Sequence, residues 1–144
     1  MAVKTHSNLR NNNSDFNNII DSIRTTPVLA KTADYVITED DARSCTMFTN
    51  RGASGTVAFT LPAPSAGLAG VRLLLVSVVA QVISVETATA DTLITMGDVA
   101  ADKLAAPGSI GAEIECWCDG TSWIALGRGE TAGNTASLNY TVTT

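Results

Sequence analysis

Val57, Phe59 and Leu61 alternate with Thr56, Ala58 and Thr60, so one side of residues 56–61 is wholly apolar. A period of two over this length predicts a half-buried strand. Pro62 and Pro64 end it, because neither can donate to a ladder. The alternation recurs over 112–118, with Ala112, Ile114, Cys116 and Cys118 predicted inward and Glu113, Glu115 and Trp117 outward. Asp119-Gly120 is hairpin-turn chemistry, and Ser122–Gly127 returns with Trp123, Ile124 and Leu126. From Val71 to Val79 both faces are apolar except at Arg72 and Ser77, which predicts a central strand covered on both sides. Further short strands are expected at Tyr35–Thr38, Arg43–Thr49, Val82–Glu86, Thr92–Thr95 and Ala136–Thr143. The acidic turn Glu39-Asp40-Asp41 and the Gly-bounded stretch Asn50–Gly55 punctuate them. After Thr26 only Ala100–Ala106 carries a weak helical pattern. About eight or nine short strands at roughly 8–12-residue spacing predict an all-β domain, a jelly-roll-like β-sandwich or barrel. No internal repeat is evident.

The first thirty or so residues have another texture. Phe16, Ile19, Ile20 and Ile23 recur at i, i+3, i+4 and i+7 behind a potential cap at Ser14, which predicts a short amphipathic helix at about 15–24. Such a helix is too short to stand alone in water. Its stripe must pack, either on this chain's own sheet or on a neighbouring molecule. Six asparagines crowd between Asn8 and Asn18, and Pro27 closes the segment. The organisation expected is an N-terminal arm, 1–31, followed by a β domain, 32–144.

Composition sharpens this picture. The 144 residues suffice for one core, and 45% are hydrophobic. Thr, Val and Ile, the β-branched types, supply 40 of them. Only 16% are charged, against roughly 25% in a typical soluble domain. A small domain with so few charges often hides part of its surface against a partner. The net charge is -5, divided between a mildly basic arm and an acidic body. Acidity and scarce aromatics argue against a nucleic-acid binder. The start lacks the apolar run of a secretory signal, and Val71–Ala80 is far short of a membrane span. Cytosolic synthesis, no membrane partner and reduced thiols at Cys45, Cys116 and Cys118 are therefore expected.

Candidate chemistry is scarce. The single histidine, His6, lies in the arm, which leaves a Cys116/Cys118 metal site short of ligands and argues against Ser-His or Cys-His catalysis. Gly52-Ala53-Ser54-Gly55 is one residue short of a nucleophile elbow. Gly127, Gly129 and Gly133 miss the dinucleotide-loop spacing. Glu113 and Glu115 share one strand face and read as an exposed charged face or a salt bridge rather than an acid/base pair, and Arg51 reads as a turn residue in solvent. The expectation is a non-enzyme without metal or cofactor. Trp117 beside two glutamates is costly in water, so it either packs under a loop or contacts a subunit or partner. The candidate partner-binding residues are thus Phe16, Ile19, Ile20, Ile23 and Trp117.

Ile37-Thr38-Glu39-Asp40-Asp41, then Phe48-Thr49-Asn50-Arg51-Gly52-Ala53-Ser54-Gly55-Thr56-Val57-Ala58-Phe59-Thr60-Leu61-Pro62-Ala63-Pro64 and Ala66-Gly67-Leu68, resemble small β-structured proteins of tailed bacteriophages. Asp119-Gly120-Thr121-Ser122-Trp123 is similar to a hairpin near the end of that pattern. The resemblance covers about residues 35–127, and the pattern occurs in head decoration (cement) proteins and in tail-fibre or other virion modules. Where the family has Cys-Gly-Lys before Phe-Thr-Asn, this chain has Ser44-Cys45-Thr46-Met47. The family offers no catalytic residues to carry over. The resemblance implies a virion structural protein made in the host cytoplasm, a homotrimer on the outer capsid surface. Its partner would be the major capsid protein, and its task to bridge adjacent capsid subunits. The other implied role is a tail-fibre or tail-spike module for receptor or glycan binding.

Overall fold

The computed structural model of the chain describes residues 27–44, 47–129 and 139–144. It is all-β with very little helix. β1 (Val28–Ala30), β3 (Met47–Thr49), β5 (Arg72–Val76), β7 (Leu93–Thr95), β8 (Asp98–Ala101), β10 (Glu113–Cys118) and β11 (Trp123–Arg128) form one sheet. β2 (Tyr35–Val36), β4 (Val57–Leu61), β6 (Ile83–Thr87), β9 (Lys103–Ala105) and β12 (Thr141–Thr143) form the other.

The order of winding departs from the expected jelly-roll-like sandwich or barrel. β1 to β6 alternate between the sheets, and each stacks in parallel on the strand two elements later: β1 on β3 on β5, and β2 on β4 on β6. This is a β-solenoid of three coils. One coil rises to the next over 19 residues at Val28↔Met47 and over 27 at Met47↔Leu74. Such uneven coils leave no fixed period in the sequence. Beyond β6 the pairing becomes mixed. β10 and β11 form an antiparallel hairpin beside β5, β7 runs parallel to β11, and β9 and β12 close the five-stranded sheet.

One core lies between the sheets. Phe48, Leu73, Leu75, Ile114, Cys116, Trp123 and Ala125 enter it from one side, and Val57, Phe59, Leu61, Ile83, Val85 and Leu104 from the other. β4 shows the period-two burial its sequence predicts, and Phe48 meets Phe59 edge-on at 5.9 Å. The indole N–H of Trp123 donates to the Pro62 carbonyl at 2.8 Å.

Several elements differ from expectation. Residues 39–41 are not a free acidic turn but open the short helix α1 (Glu39–Ser44). Thr38 accepts the Asp41 amide on Oγ1, and Asp41 Oδ2 accepts the Thr38 amide in return, a reciprocal cap. The strand expected at Arg43–Thr49 accordingly shrinks to β3. Ala100–Ala106 is not helical but holds the end of β8 and all of β9. β5 is interior to its sheet, yet only Leu73 and Leu75 enter the core. Leu74 and Val76 are half-buried on the opposite face. Val28–Ala30, assigned by sequence to the arm, is a strand of the body. The predicted helix at 15–24 lies outside the described residues.

A candidate docking surface

The strand registers define the outward face of the seven-stranded sheet. Paired residues share a face, so Val28, Met47, Leu74, Glu115 and Leu126 form one row across β1, β3, β5, β10 and β11. The next row holds Arg72, Trp117, Ile124 and Ile94. The rows facing the other way feed the core. A solvent-facing sheet surface normally carries polar residues, whereas this one is largely apolar. Val28 is 53% and Leu126 37% exposed, and Leu74, Trp117 and Ile124 are half-buried.

Charge sits at the centre of this face. Glu115 is only 2% exposed, and its two carboxylate oxygens are ion-paired with Arg72 and Arg128. Those arginines stand 63% and 54% exposed, so solvent screens their side of the pairing. The sequence places Glu115 outward correctly, but as a solvated or singly bridged group; the structure folds two arginines over it. Neither arginine is close to it in sequence, so only the β5–β10–β11 register reveals the cluster. The Arg72 guanidinium also lies over the Trp117 ring, 5.6 Å from its centroid, a contact worth about 0.5–1 kcal/mol at an exposed site. Trp117 thus sits outward and half-buried beneath an arginine. Phe16, Ile19, Ile20 and Ile23 lie outside the described residues.

The winding produces a second feature: two ends bounded by edge strands. Among the described residues β1 and β2 are the edge strands of their sheets at one end, and β8 and β12 at the other. Val28 and Val36 are exposed at the first end, and Val99 on β8 at the second. Next to β8 the turn residue Met96 is exposed with φ 44°, a left-handed conformation that a methionine rarely adopts. An edge strand with exposed apolar side chains is a template for pairing with another chain.

A buried asparagine stiffens the middle of the body. The Asn50 side chain accepts the amides of Val78 and Val79 and donates to Ser77 Oγ and to the carbonyls of Val79 and Gln81. It pins the loop after β5 to the loop after β3, so the second and third coils are tied outside their ladders.

Cys116 and Cys118 both face the core, and burial pushes the Cys116 thiol up to about 12, so it stays protonated at neutral pH. Cys45 and His6 lie outside the described residues. Among the described residues no three His, Cys, Asp or Glu side chains gather as a metal site, and no helix is long and apolar enough to cross a membrane. No family model matches the chain, and no curated protein or solved structure does either.

Proposed function

We propose that this chain is a virion structural protein, a decoration (cement) protein that binds the outer surface of a tailed-bacteriophage head and bridges adjacent capsid subunits. The observation that carries this reading is that the described ladders end on edge strands at both ends of the body. A wound β body bounded by β1 and β2 at one end and by β8 and β12 at the other would offer a different neighbour a seat at each end. The apolar Val36 and Val99 add contact where those neighbours would lie. The resemblance supplies the virion context, and a homotrimer would repeat each contact three times, raising avidity without demanding high affinity from any one site.

The test is attachment of the purified protein to expanded, undecorated phage heads. Saturable binding is expected, weakened by Val36→Lys or Val99→Lys in a protein whose unfolding midpoint is unchanged. Absence of saturable attachment overturns the proposal, and so does density at the tail tip of intact particles, which would assign the chain to a fibre or spike.

A further inference from the structure

We infer that the outward face of the seven-stranded sheet is the seat of this chain's own residues 15–24, held by the Phe16, Ile19, Ile20 and Ile23 stripe. The face is built like a second core surface. Leu74, Trp117, Ile124 and Leu126 occupy positions at which a strand open to water would alternate to polar residues. At its centre Glu115 is already withdrawn from water beneath Arg72 and Arg128.

Chain geometry selects the occupant. The segment enters the body at Val28, which belongs to the same outward row as Leu74 and Leu126. Only residues 25–27 separate the end of the segment from that point, and the four steps from residue 24 to Val28 span about 14 Å at most. A ten-residue helix is about 15 Å long. The four strand spacings from β1 to β11 add to about 19 Å, so such a helix fits across the face within reach of its tether. A tether this short gives an effective concentration of about millimolar or above, which favours the chain's own segment over a second copy or a capsid protein. The inference is independent of the proposed function, which rests on the edge strands β1/β2 and β8/β12 and not on this face.

Hydrogen exchange on the full-length protein tests this. The amides of residues 15–24 should exchange at least about tenfold more slowly than an unstructured chain, equally at low and high protein concentration. Leu126→Asp should abolish that protection while Val57–Leu61 stays protected. The reciprocal variant, Ile20→Asp, leaves every body residue intact and should shift Trp117 emission to the red. Trp117→Phe identifies that signal against the buried Trp123. Unprotected amides in the wild type overturn the inference. Protection that grows with concentration overturns it in favour of a second copy. Protection insensitive to Leu126→Asp, or Trp117 emission insensitive to Ile20→Asp, overturns it as well.

Discussion

Trp123 and Pro62, far apart in sequence, are joined by a buried hydrogen bond of 2.8 Å from the indole N–H to the proline carbonyl. It closes β11 of one sheet onto the end of β4 in the other. Trp123→Phe removes the donor and leaves the carbonyl buried without it. A loss of about 1–3 kcal/mol is expected, with a lower urea midpoint and an unchanged slope. An unaltered midpoint would show that another donor takes over.

Asn50 makes five side-chain hydrogen bonds inside the coil junction. Asn50→Ala takes the acceptor from two amides, while the Val79 and Gln81 carbonyls keep the Ser77 hydroxyl within reach, and should cost about 2–4 kcal/mol. Asn50→Asp keeps an acceptor for the amides but turns a carboxylate oxygen towards the Val79 and Gln81 carbonyls. It should be at least as damaging at neutral pH and partly recover in acid, where a protonated carboxyl can donate. Denaturant titration at two pH values separates these outcomes.

The Arg72–Glu115–Arg128 cluster should be asymmetric to mutation. Glu115→Met places an apolar side chain on an apolar face and should be close to neutral. Arg72→Met with Arg128→Met strands a buried carboxylate and should cost about 1–3 kcal/mol more. That is below the range for fully buried pairs, because both guanidiniums stand partly in solvent. Adding Glu115→Met to the double arginine variant should restore stability, and a failure to restore it would contradict the assignment.

Asp41 accepts hydrogen bonds from the Tyr35 hydroxyl and from the Thr38 amide and hydroxyl. Those bonds, the Tyr35 one foremost, hold its carboxyl below the usual 3.8. A lowered folded-state value means that the unfolded chain takes the proton more readily. The contribution of Asp41 is therefore complete above the ordinary carboxylate pKa and disappears as pH falls through the folded value. Asp41→Asn should lower stability at about pH 6 and flatten the loss below about pH 4. Urea midpoints measured across that range would check both signs.

What the sequence discloses is local. Val57, Phe59 and Leu61 announce β4 because alternation is a property of neighbours, and Asp119-Gly120 announces its hairpin because the Asp119 side chain caps the Thr121 and Ser122 amides. The parallel winding was illegible because Phe59↔Val85 and Phe48↔Leu75 are choices of register between distant segments, and coils of unequal length leave no repeat. α1 did have a signal, Thr38 followed three residues later by Asp41, but the acidic run around it reads equally as a turn. The outward apolar face was half visible: Arg72 stood out as an interruption in Val71–Val79, while its carboxylate partner emerges only once β5 lies beside β10.

The third coil has a consequence for how the molecule comes apart. β5 pairs in parallel with β3 and antiparallel with β10, and β6 does the same between β4 and β9. Both sheets therefore change character at one pair of consecutive strands. Loss of the first coil sacrifices one short ladder in each sheet, but loosening β5 at Leu73 together with β6 at Val85 parts the molecule into two halves that share no other strand pairing among the described residues. Cooperative unfolding should be governed from that seam, with β1 and β2 fraying well before it yields.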